Sequence, residues 1–110
     1  MVVDIDSRRP VLANRTGGLS GPAIKPVAVH LVNKVYNEVA KAASVPILGL
    51  GGIRSASDAV EFIIAGASAV AVGTWNFVEP GCAVKIIEGI KKYCVHHKIG
   101  NIKELTGSLR

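Results

Sequence analysis

The sequence predicts an α/β fold built on a parallel sheet. From residue 45 onward, short apolar runs alternate with amphipathic stretches in the order strand, helix, strand, helix, with brief connections between them. The two strand candidates are almost continuously apolar, as strands covered on both faces are. The composition agrees: Ala, Val and Ile dominate, with twelve Gly and only five aromatic residues. Parallel strands joined through a helix require a right-handed crossover, which either an open doubly wound sheet or a closed barrel provides.

The elements follow in order. Val2–Ile5 alternates loosely, Ser7-Arg8-Arg9-Pro10 turns and Val11-Leu12-Ala13 runs on, so a small hairpin is expected. Thr16-Gly17-Gly18-Leu19-Ser20-Gly21-Pro22 is too rich in glycine for a regular element and reads as a loop. A helix follows, with Val27, Leu31, Val35 and Val39 recurring every four residues beside Ala28, Val32 and Ala42, and His30 on its polar face. Val45–Leu50 is the first buried strand, ending in Gly51-Gly52. Ser55 with Asp58 three residues later resembles a capping box opening a helix through Ala59, Val60, Ile63 and Ile64, which Gly66 stops. Ala67–Val72 is the second buried strand, ending in Gly73-Thr74. A last long helix after Pro80-Gly81 turns Ile86, Ile87, Ile90 and Cys94 inward. Its C-terminal end collects Lys91, Lys92, His96, His97 and Lys98, where the helix dipole favours positive charge. Asn101 with Glu104 caps a final short turn.

Several function classes are disfavoured at once. With 49% hydrophobic and 19% charged residues, the chain is not a disordered one. No apolar run reaches the roughly 18 to 20 residues that cross a bilayer, and the N-terminal residues lack the pattern of a signal peptide. A soluble, cytoplasmic protein is expected. The net charge of +5 is scattered, without aromatic residues placed for base stacking, so no nucleic-acid partner is expected. Cys82 and Cys94 are too few for a disulfide framework and show no metal-ligand spacing; on one helix they would lie about 18 Å apart. His96 and His97 point about 100° apart on a helix, and Asp4 and Asp6 fit a solvated hairpin edge. Neither a catalytic residue nor a metal ligand is expected, whereas Trp75 could border a ligand or anchor the helix that follows.

The chemistry lies in the strand ends. In a parallel sheet, Gly51-Gly52 and Gly73-Thr74 fall side by side on one rim, 22 residues apart. Glycines there let backbone N–H groups approach an anion closely, and Thr74 adds a hydroxyl. Phosphate groups are gripped in this way between the last two strand ends of (β/α)₈ barrels.

The glycine-dense loop makes the likeness specific. Asp4–Leu12 and Ala13-Asn14-Arg15-Thr16-Gly17-Gly18-Leu19-Ser20-Gly21-Pro22-Ala23-Ile24-Lys25-Pro26 strongly resemble the sixth strand-end region of dihydroorotate dehydrogenases. Ile47–Ile53 and Ala65–Thr74 resemble that family's last two strands and loops, and the likeness covers essentially all 110 residues, closest to the class 1, B-type enzymes. The resemblance implies the C-terminal part of a (β/α)₈ TIM barrel and an FMN cofactor. It places Gly51, Gly52, Gly73 and Thr74 on the FMN phosphate and Gly21 against the flavin, with Ser20 lining the same loop. A side chain at Gly52 is then expected to obstruct the phosphate. The implied reaction oxidises dihydroorotate to orotate in pyrimidine biosynthesis, with electrons passing to a subunit carrying FAD and an iron–sulfur cluster. A whole barrel needs about 250 residues, and the family's catalytic cysteine, flavin-contacting lysine and substrate-holding asparagines all precede the matching segment. The chain therefore reads as part of such a barrel, paired with a complementary N-terminal portion or with itself, and inactive alone. Two other readings remain: another phosphate-gripping barrel, which would not share the Gly17–Pro26 loop, or a non-catalytic module that binds phosphate or a partner chain.

Overall fold

The structure, a computed structural model, describes residues 1–110. A hairpin comes first. Strand β1 (Val3–Asp4) pairs antiparallel with β2 (Arg9–Pro10), Val3 opposite Pro10 and Asp4 opposite Arg9. The turn closes earlier than the sequence suggests, because the Asp4 carboxylate accepts hydrogen bonds from the Asp6 N–H (3.0 Å) and the Ser7 hydroxyl (2.8 Å). Arg9 and Pro10 thus belong to the returning strand. Pro10 lacks an N–H, and it sits on an edge where none is needed.

After the glycine-dense loop, a 3₁₀ turn (Pro22–Ile24) leads into helix α1 (Lys25–Val35), with Pro26 in its first turn, where a missing N–H costs nothing. The helix widens into a π turn (Tyr36–Ala40) and finishes as α2 (Lys41–Ala43), stopped by Ser44 in the left-handed region at φ 54°. Tyr36, which opens the π turn, packs its ring on Gly66 and Gly107; a Cβ at either glycine would fall within 2.4 Å of a ring atom.

Strands β3 (Leu48–Leu50) and β4 (Ala69–Ala71) are parallel neighbours, with Leu48, Gly49 and Leu50 opposite Ala69, Val70 and Ala71. Between them runs helix α3 (Ala56–Ala65), opened by the expected Ser55/Asp58 capping box and stopped by Gly66 at φ 128°. After β4 come the short helix α4 (Trp75–Val78) and the long α5 (Cys82–His96), then a 3₁₀ turn (Ile102–Leu105) with the expected Asn101/Glu104 box. The Gly107 and Leu109 N–H groups bond to the Ile63 and Ile64 carbonyls and tie the tail to α3.

The core lies between the sheet and its helices: Ile53, Ala59, Phe62, Ala67 and Ile86, flanked by Ala28, Val29, Val32, Val70, Val72 and Ile90. Phe62 packs so closely on β3 that a Cβ at Gly49 would sit 2.7 Å from its ring. Helix α5 meets α3 where Gly89 faces Ala56.

Three expectations about burial are corrected. β3 is covered on one face only: Gly49 is buried, while Leu48 and Leu50 point away from the helices and are 62% and 60% exposed. On α1 the inward face is Ala28, Val29 and Val32, and the stripe Val27, Leu31, Val35, Val39 is exposed. On α5, Ile86 is buried and Ile90 and Cys94 are half-buried, but Ile87 is exposed. The physical reason is common to all three. Periodicity marks a residue as apolar-facing, and here some of those faces have no layer against them. No helix is long and apolar enough to cross a membrane.

Candidate functional site

The C-terminal ends of β3 and β4 open on the same side, and the glycine-dense loop folds over them. Together they enclose a cavity of about 290 Å³. Leu19, Ser20, Gly21, Pro22 and Ile24 supply the loop side, Leu50 to Arg54 the end of β3, and Gly73, Thr74, Trp75 and Val78 the end of β4. All six residues singled out in the sequence (Ser20, Gly21, Gly51, Gly52, Gly73 and Thr74) meet on its wall.

The wall has the chemistry of an anion cradle. The backbone N–H groups of Gly51, Gly52, Ile53, Gly73 and Thr74 donate to no backbone acceptor. Clusters of such free N–H groups in a concave turn attract negative charge. The glycines divide into two kinds. Gly73 has ordinary backbone geometry, and nothing lies within 4 Å of a Cβ built on it. Gly52, at φ 70°, is packed against protein: a Cβ there would lie 2.7 Å from the Gly21 carbonyl oxygen and 2.9 Å from Lys25 Cβ. The expectation that a Gly52 side chain would intrude on a ligand is therefore corrected. It would collide first with the loop that roofs the cavity.

Behind the wall, Asp58 fastens the parts together. It is buried, and its carboxylate accepts from the Arg54 N–H (2.9 Å), the Ser55 N–H (3.0 Å), the Ser55 hydroxyl (3.0 Å) and Lys25 Nζ (2.7 Å). Burial on its own raises this carboxyl; the Lys25 ammonium, the Arg54 N–H and the Ser55 hydroxyl outweigh it and hold the pKa at about 2. Lys25 also reaches Glu61 (2.9 Å), so α1 is pinned to α3 just under the loop. Its own pKa is raised, chiefly by the hydrogen bond to Asp58.

Arg54 is the residue that sequence reasoning missed. It is the one charged side chain on the cavity wall, exposed, with its guanidinium carbon 5.9 Å from the centroid of the Trp75 ring. Its signal was its position, a cation between the Gly51-Gly52-Ile53 turn and the helix cap at Ser55. Trp75 answers both expectations, since it lines the cavity and begins α4.

The other polar residues stay apart. No Cys, His, Asp, Glu or Lys lines the cavity. Cys82 and Cys94 both lie on α5 as free thiols, Cys82 buried with its sulfur 3.2 Å from Asn76 Oδ1. His30 is exposed on α1, and His96 and His97 cluster with Tyr93 at the end of α5. No group of side chains is arranged to hold a metal ion.

Parallel strands with a crossover helix and a cavity at their C-terminal ends define a piece of an α/β fold with its ligand-facing rim, as (β/α)₈ barrels and open doubly wound sheets both have. The comparisons with known proteins narrow this further. The family model described as Dihydroorotate dehydrogenase matches residues 1–94, and the chain belongs to that family. Among its relatives is the protein named "Dihydroorotate dehydrogenase B (NAD(+)), catalytic subunit" of Thermoanaerobacter pseudethanolicus, 53% identical over 110 residues. Proteins of the same name from Alkaliphilus metalliredigens and Parabacteroides distasonis are 54% and 49% identical over 109 residues. The match takes in 99% to 100% of this chain but only 34% to 35% of those relatives, so the chain spans about a third of their length. A solved structure of DHODH in complex with ferulenol, from Eimeria tenella, superposes with a TM-score of 0.77 at 29% identity, over 98% of this chain and 28% of that one. The ligand-free form gives 0.77 at 31% identity, over 94% and 28%. These likenesses make the fold the C-terminal part of a TIM barrel, as the sequence suggested.

Proposed function

We propose that the chain forms the FMN-phosphate-binding end of a class 1, B-type dihydroorotate dehydrogenase, an enzyme oxidising dihydroorotate to orotate in pyrimidine biosynthesis. The observation that carries this reading is the convergence of Ser20, Gly21, Gly51, Gly52, Gly73 and Thr74 on one cavity whose wall presents unpaired backbone donors. The fit to a flavin phosphate is supported by the open space in front of Gly73 and Gly21, where no protein atom lies within 4 Å of a built Cβ.

Within this reading, Gly51, Gly52, Gly73 and Thr74 hold the phosphate through main-chain N–H groups, and the Thr74 hydroxyl adds a further donor. Ser20 and Gly21 carry the loop that lies along the flavin. Leu19, Ile24, Leu50 and Val78 exclude water and leave an apolar wall for the rest of the cofactor. FMN, when bound, supplies the two-electron acceptor that the oxidation requires. Proton abstraction from the substrate needs a group within hydrogen-bond reach. No Cys, His, Asp, Glu or Lys lines the cavity, so in this reading the base and the substrate-holding side chains are not part of its wall. The name carried by the relatives supports a separate electron-transfer subunit, which we assign FAD and an iron–sulfur cluster. We place the protein in the cytoplasm.

Gly73 offers the cleaner test, because a side chain there disturbs no packing. In the assembled flavin-binding protein, Gly73→Asp fills the open space and sets a negative charge beside the phosphate. Losing one or two charge-assisted hydrogen bonds, at about 1.5 to 3 kcal/mol each, weakens FMN binding by at least about tenfold while the melting temperature stays put. Flavin titration alongside thermal melting reads both. Undiminished FMN affinity in folded Gly73→Asp would defeat the assignment.

A further inference from the structure

We infer that Arg54, braced against Trp75, is the cationic arm that recognises the terminal phosphomonoester of the flavin. This rests on the reading of the cavity as a phosphate cradle and deepens it by assigning the preference for a phosphorylated flavin to one side chain.

Four observations lead there. First, Arg54 is the only charged residue on the cavity wall, and it has no carboxylate partner: the ion pairs of the chain join Lys25 to Asp58 and Glu61, Lys85 to Glu79 and Lys91 to Glu88. A guanidinium left without a counter-ion beside unpaired backbone donors is matched to an anion. Second, its main chain is fixed, because its N–H is donated to the buried Asp58 carboxylate at 2.9 Å. The side chain thus swings from a rigid base at the start of α3.

Third, the guanidinium reaches from the β3 side of the wall toward the β4 side. Arg54 belongs to the loop after β3 and Trp75 opens α4 beyond β4, and the 5.9 Å between charge and ring lies within cation–π range. At an exposed position that hold is weak, so the cation can be passed to a stronger acceptor. Fourth, the Trp75 indole N–H is buried without a hydrogen-bond partner; Glu79 is close enough to feel it but is held first by Lys85. The ring itself is held at the start of α4, where it can serve as a platform. The planar fork of Arg meets two phosphate oxygens at once, which a terminal monoester offers and an unphosphorylated flavin does not.

The test compares FMN with riboflavin in titrations of the flavin-stripped, assembled protein. The unmodified protein binds FMN much more tightly than riboflavin. Arg54→Gln lowers FMN affinity about tenfold or more, as the loss of a charge-assisted hydrogen bond requires, and leaves riboflavin affinity unchanged. It also flattens the salt dependence of FMN binding. Arg54→Lys, which keeps the charge and loses the fork, recovers part of the preference and serves as the second variant should Arg54→Gln fold poorly. Equal losses for both flavins would mean that Arg54 only supports the fold, and the inference would be overturned. An intact FMN preference in both variants would overturn it too, leaving the backbone cradle standing. If the unmodified protein does not distinguish the two flavins, the phosphate reading itself fails and the role of Arg54 fails with it.

Discussion

Asp58 shows how much of the site depends on one residue that never touches the cavity. Its carboxylate holds the Arg54 and Ser55 N–H groups, caps α3 and anchors Lys25 beneath the loop that roofs the site. Its folded pKa of about 2 lies below the ordinary 3.8. A depressed carboxyl contributes stability that is present above its unfolded pKa and is lost as pH falls through the folded one. The shift corresponds to about 2 kcal/mol. Asp58→Asn therefore destabilises the folded protein by about that amount at neutral pH, and the gap between variant and parent closes between about pH 4 and pH 2. Chemical denaturation across that range checks it; a gap that persists at pH 2 would show that the ion pair is not its source. The capping box was legible in the sequence because Ser55 and Asp58 are local. Lys25, 33 residues away, was not, since nothing in the spacing says which carboxylate a lysine at the start of another helix will meet.

At the scale of elements, the packing of α5 on α3 turns on a residue with no side chain. A glycine inside a helix costs about 1 kcal/mol relative to alanine, so Gly89→Ala is expected to stabilise α5 on propensity alone. The structure reverses the sign, because a Cβ at position 89 would sit 2.4 Å from the Ala56 Cβ. Overpacking of this kind costs about 1 to 3 kcal/mol, and Gly89→Ala lowers the melting temperature. The double variant Gly89→Ala with Ala56→Gly recovers part of the loss, which a double-mutant cycle measures. A more stable single variant would contradict the close approach. The order of strands and helices was readable from apolar runs and caps. Which face of a helix packs was not. The stripe Val27, Leu31, Val35, Val39 has the cleaner periodicity, yet Ala28, Val29 and Val32 face the core. That the six candidate residues share one cavity was legible, since glycines at strand ends mark a rim whatever packs behind it. Arg54 escaped because its one signal, a cation set between the Gly51-Gly52-Ile53 turn and the Ser55 cap, is a matter of position and not of periodicity.

For the whole molecule, shape and burial tell the same story. The chain has a radius of gyration of 16.8 Å and extents of 57 × 34 × 20 Å, whereas a compact domain of this length has a radius of about 13 Å. Only 14 of the 110 residues are buried. Leu48 and Leu50 on the sheet, the α1 stripe, and Val84 and Ile87 on α5 leave three apolar surfaces facing solvent. The two-stranded parallel sheet also has both outer edges unpaired, and open edges invite further strands. The 110-residue chain by itself is thus expected to self-associate or to unfold without a sharp transition. Sedimentation velocity with thermal melting tests this, and a stable monomer that melts cooperatively would count against it.

The cradle's reliance on main chain has a consequence for acid and base. No carboxylate, imidazole, thiol or amine lines the cavity, so its walls neither gain nor lose protons over the range in which such groups titrate. Whatever pH dependence an anion shows on binding there belongs to the anion. For a phosphomonoester that means its second ionisation, near pH 6, with the protein acting as a fixed electrostatic mould.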